Sequence, residues 1–225
     1  MILEDKRIRI IVGHYGSGKS EFSINYAVKL GQKKDKVVLV DLDIVNLYFR
    51  SREKEEELKK LGVKLIGSSI KGLGADLPAV SAEIYGPIQD ESFDLVIDVG
   101  GDPVGARVLG MYSQYFTKGN YDMFFVLNAN RPETQTVEKA MEYLKKIENA
   151  SRLKVTGIVN NTHLLKSTTY KDVLKGQTLA EELSHQLNIP IKYVSALEHV
   201  AKDLPANLTG QIFPIKLYLR EEWMV

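Results

Sequence analysis

A glycine-rich segment near the N-terminus combines residue types that bind phosphate groups. Residues 13–20 run G-H-Y-G-S-G-K-S and follow the apolar run I-R-I-I-V at residues 8–12. Glycines let the backbone turn tightly, so that consecutive N–H groups point toward a phosphate. Lys19 can then reach the β- and γ-phosphates, and the Ser20 hydroxyl can bind Mg²⁺. The spacing G-x-x-x-x-G-K-S predicts a phosphate-binding loop that holds a nucleoside triphosphate.

The loop is expected to lead directly into a helix over residues 19–30, with Gly31 in the position of a helix-ending glycine. The positive N-terminal end of such a helix adds to the attraction for phosphate. We expect this segment to contact the nucleotide, with Lys19 also serving catalysis. The candidate nucleotide-contacting residues here are Gly13, His14, Tyr15, Gly16, Ser17, Gly18, Lys19, Ser20 and Glu21.

Two later apolar runs end in carboxylates. Residues 37–40 lead into Asp41-Leu42-Asp43, and the run before Asp98 is followed by the glycine pair that ends at Gly101. Phosphoryl transfer needs a carboxylate near Mg²⁺ and a group that orients the attacking water. We expect Asp98 to hold Mg²⁺ together with Ser20, directly or through water. The Gly101 backbone N–H is a candidate donor to the γ-phosphate.

Short apolar runs alternate with helical patterns along the whole chain. The runs cover residues 8–12, 37–40, 95–99, 123–127, 155–159 and 191–194. Apolar positions over 137–147 recur with helical spacing, Pro132 suits the first turn of that helix, and Asp102 before Pro103 predicts a helix N-cap. This alternation predicts an α/β fold with a doubly wound, mostly parallel sheet and helices on both faces. We expect a single domain over residues 1–225, with its ligand at the carboxyl ends of the strands.

Composition excludes several classes of protein. The 225 residues include 30 Lys plus Arg against 29 Asp plus Glu, a balance that disfavours a nucleic-acid partner. The chain has no Cys, which excludes disulfides, thiolate zinc sites and iron–sulfur ligation. The longest apolar run, 123–127, is too short to span a membrane, and the charged N-terminus does not resemble a signal peptide. We expect a cytoplasmic protein without a membrane partner.

The phosphate loop, the V-V-L-V-D-L-D segment at 37–43 and the D-L-V-I-D-V-G-G segment at 94–101 resemble the MinD/ParA/CobQ-type nucleotide-binding ATPases in order and spacing. This group, of the SIMIBI class of P-loop proteins, includes the nitrogenase iron protein and the carbon monoxide dehydrogenase accessory ATPases. The resemblance implies a P-loop fold that binds ATP and Mg²⁺ and hydrolyses ATP. It implies that Asp43 activates the hydrolytic water and that Asp98 is the Walker B carboxylate. Asn161, or its neighbour Asn160, would contact adenine.

The departures from the family pattern also carry information. Many members have a signature Lys after the first loop glycine, which reaches the partner's nucleotide across a dimer, whereas this chain has His14. A neutral imidazole does not supply a permanent cation, so slow basal hydrolysis is expected, with a homodimer as one possible assembly. Arg50, Arg52 and Arg107 are alternative cations or plain surface residues. The related GTPases read guanine with N-K-x-D, but residues 160–163 run N-N-T-H, which favours ATP.

Several functions remain open from the sequence. The first is an ATP-dependent switch that docks or releases a partner protein, such as a metalloenzyme or redox complex under maturation, or a second copy of the chain. The others are an ATP-dependent carboxylate-activating enzyme of the CobQ or dethiobiotin-synthase type and a GTPase metallochaperone. A DNA-partitioning module is disfavoured by the charge balance.

Three further features have ordinary structural explanations, and two of them also have a functional alternative. The mixed-charge run at 51–61 predicts an exposed helix with Ser51 as its N-cap, although it could also dock a partner. The glycine-containing segment at 72–78 is either an ordinary connection or a switch loop. His185 and His199 lack the neighbours of a metal site.

Overall fold

The computed structural model describes residues 2–43, 55–67, 82–117 and 119–219. Within them, eight strands form one sheet, in which every pair of neighbours is parallel. The strands are β1 (Ile8–Val12), β2 (Val37–Leu42), β3 (Val63–Gly67), β4 (Asp94–Val99), β5 (Tyr121–Leu127), β6 (Gly157–Asn160), β7 (Ile191–Leu197) and β8 (Gln211–Ile215). Their order across the sheet is β3-β2-β4-β1-β5-β6-β7-β8. The prediction of a parallel α/β fold is confirmed.

Helices connect the strands and cover both faces of the sheet. They are α1 (Lys19–Gly31), α2 (Glu55–Lys60), α3 (Tyr85–Gln89), α4 (Pro103–Gly110), α5 (Val137–Ser151), α6 (Tyr170–Leu187) and α7 (Glu198–Ala201). Short 3-10 turns at Ala82–Ile84 and Ser113–Tyr115 precede α3 and follow α4. Parallel strands require such crossovers, and crossovers on both sides bury the sheet completely.

Alternate residues of β1 show how the two faces are filled. Ile8, Ile10 and Val12 belong to the apolar cluster that contains residues of α4, α5 and α6. Ile11 belongs to the opposite cluster, which is built on α1 and Leu58 of α2. Since side chains alternate across a strand, a continuous apolar run is the pattern of a strand that is buried on both faces. This arrangement fixes the carboxyl ends of β1, β2, β4, β5 and β6 along one edge.

One predicted helix boundary has to be corrected, and a second is confirmed with a different role for its glycine. Helix α5 begins at Val137 and not near Pro132, because Thr136 is its N-cap and residues 128–134 form a turn in which the Thr134 hydroxyl donates to the Asn128 carbonyl at 2.8 Å. Helix α1 does end at Gly31, but Gly31 is not left-handed. A Cβ at Gly31 would lie 2.9 Å from the Leu61 carbonyl oxygen, so a glycine there permits close packing.

The predicted N-cap of α4 is confirmed, since the Asp102 carboxylate accepts from the Gly105 N–H at 2.7 Å. The predicted N-cap Ser51, the segment 72–78, Arg50 and Arg52 lie outside the described residues. Of the predicted mixed-charge helix, the structure describes α2, where Leu58 is buried and the flanking charged residues are exposed.

Candidate functional site

The phosphate loop connects the carboxyl end of β1 to the first turn of α1. Gly18 is the N-cap of α1 and has a φ of +81°, a left-handed conformation that favours glycine. A Cβ at this position would lie 2.4 Å from Nδ2 of Asn161. Both the backbone angle and the neighbouring side chain therefore require glycine at position 18.

Side chains from the segments that follow β5 and β6 bind carbonyl groups of the loop. The Gly16 carbonyl accepts from Nε of Arg131 at 2.9 Å and from Nδ2 of Asn128 at 3.3 Å. The Ser17 carbonyl accepts from Nδ2 of Asn161 at 2.7 Å. These contacts anchor the loop to the segments after β5 and β6 and fix the orientation of its peptide groups.

Two carboxylates lie beside Lys19 where β2 and β4 end. Nζ of Lys19 is 3.9 Å from Oδ2 of Asp43, and both side chains are only 6% exposed. Asp98 is also buried; it accepts from the Ser23 hydroxyl at 3.2 Å and interacts with the Ser20 hydroxyl. The sequence predicted that these residues meet, and the structure brings Lys19, Ser20, Asp43 and Asp98 together.

Burial dominates the electrostatics of Asp98. It raises the pKa of the Asp98 carboxyl from 3.8 to about 6, because the charged form loses its solvation. Lys19 and the hydroxyls of Ser20 and Ser23 oppose this effect, whereas the nearby Asp43 charge adds to it. A buried carboxylate that is only partly compensated is suited to bind a cation.

Gly101 contacts the phosphate loop through its carbonyl oxygen. That oxygen accepts from the Tyr15 N–H at 3.1 Å and from the Tyr143 hydroxyl at 2.5 Å. A Cβ at Gly101 would lie 2.8 Å from the Tyr15 nitrogen and 3.0 Å from Nζ of Lys19. The donation from the Gly101 N–H to the γ-phosphate stays a prediction, and the observed contact between Gly101 and the loop is made by the carbonyl oxygen.

His14 packs against α5. Its ring is edge-on to the Tyr143 ring with centroids 5.0 Å apart, and its Nε2 is 3.6 Å from Oε2 of Glu133. Its Nδ1 is buried with no hydrogen-bond partner in the described part of the chain. Tyr143 thus contacts both His14 and Gly101, and so connects the start of the phosphate loop to the end of β4.

A cleft of about 300 Å³ runs from the phosphate loop along the edge of the sheet. Its polar end includes Lys19, Ser20 and Arg131. Its other end is apolar and is lined by Leu165, Ala196, Leu197, Ile215, Leu217 and Leu219. The cleft therefore offers a cationic end and an apolar end, the two environments that a nucleotide requires.

The two candidate asparagines have different environments. Asn161 lines the cleft next to the phosphate loop. Asn160 is fully buried beneath α6, where its Nδ2 donates to the Val173 carbonyl at 3.0 Å and to Oε1 of Gln177 at 3.2 Å. Only Asn161 is in position to meet a ligand in the cleft.

The remaining predicted loop residues occupy three kinds of position. Tyr15, Gly16, Gly18 and Glu21 line the cleft. A Cβ at Gly13 would lie 2.5 Å from the Val126 carbonyl oxygen, and the Ser17 hydroxyl is buried without a hydrogen-bond partner among the described residues. Ser17 is not among the residues that line the cleft.

Sequence reasoning missed two residues of the site, Asn128 and Arg131. Both follow β5, and the polar run N-A-N-R that directly follows an apolar strand was the available signal. Arg107, considered as a substitute cation, lies on an exposed part of α4, whereas Arg131 is half-buried and lines the cleft. Arg131 is therefore the better-placed cation.

The donor set at the polar end fits Mg²⁺. Its available ligands are a hydroxyl and carboxylates, all oxygen donors of the kind that Mg²⁺ prefers. The described ranges contain no cluster of three or more His, Cys, Asp or Glu that could hold a metal ion by itself. Mg²⁺ usually binds to one or two protein groups and to substrate phosphates. In the same ranges, no helix combines the length and apolar character needed to cross a membrane.

Comparison with known families gives the class of protein. The model of the CobQ/CobB/MinD/ParA nucleotide binding domain matches residues 9–178, which include the phosphate loop, Asp43, Asp98 and Asn161. The chain therefore belongs to this family, as its motifs indicated. It is a nucleotide-binding P-loop protein of the MinD/ParA type. A search of curated proteins found no match.

Solved structures support the same fold. The cell division protein FtsY from Thermotoga maritima is 21% identical with a TM-score of 0.56; the match covers 84% of this chain and 61% of that one. FtsY from Mycoplasma mycoides is also 21% identical, with a TM-score of 0.54 and coverage of 84% and 60%. Chloroplast FtsY from Physcomitrella patens is 16% identical, with a TM-score of 0.55 and coverage of 82% and 57%. The match thus spans about three fifths of the FtsY chains.

Proposed function

We propose that the protein binds ATP with Mg²⁺ in the cleft beside the phosphate loop and hydrolyses it slowly, as a nucleotide switch. The observation that carries this proposal is the polarity of the cleft, with Lys19 and Ser20 at one end and leucine side chains at the other. A triphosphate matches the first end and a base with its ribose matches the second.

At the polar end, each residue has a role that its position supports. Lys19 and the loop N–H groups bind the phosphates. Ser20 and Asp98 hold Mg²⁺, the latter directly or through water. Bound Mg²⁺ neutralises phosphate charge.

Asp43 is proposed to orient the attacking water. Its carboxylate is 3.9 Å from Nζ of Lys19, so a water that it holds would face the same phosphate that Lys19 binds. An oriented carboxylate accepts a proton from the water as the new P–O bond forms and the bond to the leaving ADP oxygen breaks. His14 supplies no permanent cation, which is consistent with slow turnover.

The choice of ATP over GTP follows from the orientation of the Asn161 amide. The Ser17 carbonyl can only accept, so the Asn161 atom that faces it at 2.7 Å is the Nδ2 donor. The acceptor Oδ1 is then available to the base. Adenine offers its exocyclic amine as a donor, whereas guanine offers an acceptor at the corresponding position. Mispaired buried polar groups discriminate strongly between substrates.

The switch itself would lie at Gly101. Its carbonyl occupies the Tyr15 N–H, which is one of the loop donors expected to face phosphate. Binding of a γ-phosphate would compete for that donor and move the segment that leads into α4. A partner protein that contacts α4 could then respond to the bound nucleotide. The proposed partner is a client under maturation, such as a metalloenzyme or redox complex, or a second copy of the chain.

The test combines nucleotide binding with turnover. Asp43→Asn should retain MgATP affinity within about threefold while the hydrolysis rate falls by roughly a hundredfold. Lys19→Ala should lose both, and Lys145→Ala, an exposed lysine of α5, should lose neither. Undiminished turnover in Asp43→Asn would remove the proposed role of Asp43. ATP binding that survives in Lys19→Ala would overturn the assignment of the cleft.

A further inference from the structure

The segment that follows β8 is held by two side chains of α1. We call residues 216–219 the strap. The Asn25 side chain makes two hydrogen bonds with Lys216: its Nδ2 donates to the Lys216 carbonyl and its Oδ1 accepts from the Lys216 N–H, both at 2.8 Å. The two carboxylate oxygens of Glu21 accept from the N–H groups of Tyr218 and Leu219, also at 2.8 Å.

The strap separates the nucleotide cleft from a second groove. Leu217 and Leu219 line the apolar end of the nucleotide cleft, whereas Lys216 and Tyr218 line a separate groove on the other side. Side chains of an extended segment alternate in this way. The position of the two leucines therefore depends on how the strap backbone is held.

Glu21 and Asn25 are one helical turn apart, so their side chains lie on the same face of α1. The same helix begins in the phosphate loop, with Lys19 and Ser20 in its first turn. One rigid element thus carries the phosphate-binding residues and the residues that hold the apolar wall. The distance between the two ends of the cleft is set by this helix.

The hydrogen bonds of Glu21 explain why a carboxylate is tolerated so close to the phosphate-binding residues. A carboxylate two positions after Lys19 would repel a triphosphate if it faced the loop. Instead, both of its oxygens are directed at backbone N–H groups of the strap. The phosphate-loop motif predicted Glu21 as a nucleotide contact; its observed hydrogen bonds are to the wall of the cleft.

We propose that Glu21 and Asn25 are positioning residues that hold the strap against the nucleoside, so that they contribute to affinity for the base and ribose but not for the phosphates. This inference rests on the function proposed above. It assigns specificity for a whole nucleotide, as opposed to a bare polyphosphate, to two α1 side chains.

Asn25 gives the cleanest test, because it is buried and uncharged and does not line the nucleotide cleft. Calorimetric titrations with MgATP and with magnesium tripolyphosphate separate the two ends of the cleft. Asn25→Ala should weaken MgATP binding about tenfold, the loss expected for the strap hydrogen bonds, and leave tripolyphosphate binding within twofold.

Ile24→Val controls for a general loss of stability, since Ile24 lies on the buried face of the same helix. It should change neither affinity by more than twofold. Equal weakening of both ligands in Asn25→Ala, or no change in either, would overturn the proposal.

Glu21→Gln adds a test with opposite signs. It removes a negative charge near the phosphates, so tripolyphosphate should bind more tightly, but it leaves one strap N–H without an acceptor, so MgATP should not gain to the same degree. Equal tightening of both ligands would mean that Glu21 acts only as a charge.

The wild-type protein provides a separate test. If it binds tripolyphosphate and binds MgATP no more tightly, the strap proposal fails while the phosphate loop stands. Binding of neither ligand would defeat both proposals.

Discussion

The Asn161 amide nitrogen donates to the Ser17 carbonyl oxygen across 2.7 Å, and so joins the end of β6 to the middle of the phosphate loop. The two residues are 144 positions apart in the chain. This one contact orients the loop peptide and fixes which amide atom of Asn161 is left for a ligand. The loop and the proposed base contact are therefore coupled.

Asn161 and Asn160 form a matched pair for mutation. Asn161→Ala should weaken MgATP binding about tenfold, because it removes the proposed base contact and the support of the loop. Asn160→Ala should instead lower the free energy of unfolding by about 1–3 kcal/mol, since it leaves the buried Val173 carbonyl and Gln177 without their donor. Calorimetry and urea denaturation of both variants check this. A larger loss of affinity in Asn160→Ala would reverse their roles.

Gly101→Ala tests the close approach between the end of β4 and the phosphate loop. The added Cβ would lie 2.8 Å from the Tyr15 nitrogen and must displace the loop or the segment. We expect MgATP affinity to fall roughly tenfold. Gly86→Ala is the control, because a Cβ there meets nothing within 4 Å apart from its chain neighbours, and it should leave MgATP affinity unchanged. Calorimetric titration of both variants with MgATP measures this difference. Equal affinities would argue against a tight contact at Gly101.

The raised pKa of Asp98 predicts a specific pH dependence of stability. Between about pH 4 and pH 6 the folded protein holds a proton on Asp98 that the unfolded chain has released, so the cost of burying its charge grows as the pH rises and is complete above pH 6. Asp98→Asn removes this cost. Its stability relative to wild type should therefore increase across that window, by roughly 3 kcal/mol in total.

Urea denaturation of wild type and Asp98→Asn at pH 4, 5, 6 and 7 measures this difference. A constant offset between the two proteins would contradict the raised pKa of Asp98. Asp122→Asn is a suitable comparison, because Asp122 is half-buried on β5 and contacts Lys6 and Thr156 away from the phosphate loop.

One sheet predicts one unfolding unit. β1 pairs with β4 on one side and with β5 on the other, so the two halves of the sheet share its central strand. The chain should unfold in a single calorimetric transition, with a van't Hoff enthalpy equal to the calorimetric enthalpy. Two resolved transitions would refute the expectation of a single domain over residues 1–225.

The parts of the site that local sequence determines were predictable. The phosphate loop is contiguous, and its glycines and Lys19 define it by spacing alone. The meeting of Lys19 with Asp43 and Asp98 followed from a simple rule, namely that the carboxyl ends of parallel strands share one edge. The Asp102 N-cap was also predictable from the sequence, because helix capping depends on residues only a few positions away.

Long-range contacts were not predictable from one sequence. Arg131 reaches Gly16 over a separation of 115 residues, and Glu21 binds Leu219 over 198. No local pattern encodes either pairing. The start of α5 was misplaced for a different, local reason, since Thr136 caps the helix and a turn tied by Thr134 and Asn128 outcompetes the helix preference of Pro132.

Titration of the purified protein with MgATP and with MgGTP, with Lys19→Ala as the control, tests the central claim most directly. The account predicts that ATP binds measurably more tightly than GTP and that Lys19→Ala loses roughly 10- to 100-fold in ATP affinity. Tighter binding of GTP would contradict the proposed role of Asn161 and favour a GTPase of the same class. Undiminished ATP binding by Lys19→Ala would show that the nucleotide does not occupy this cleft.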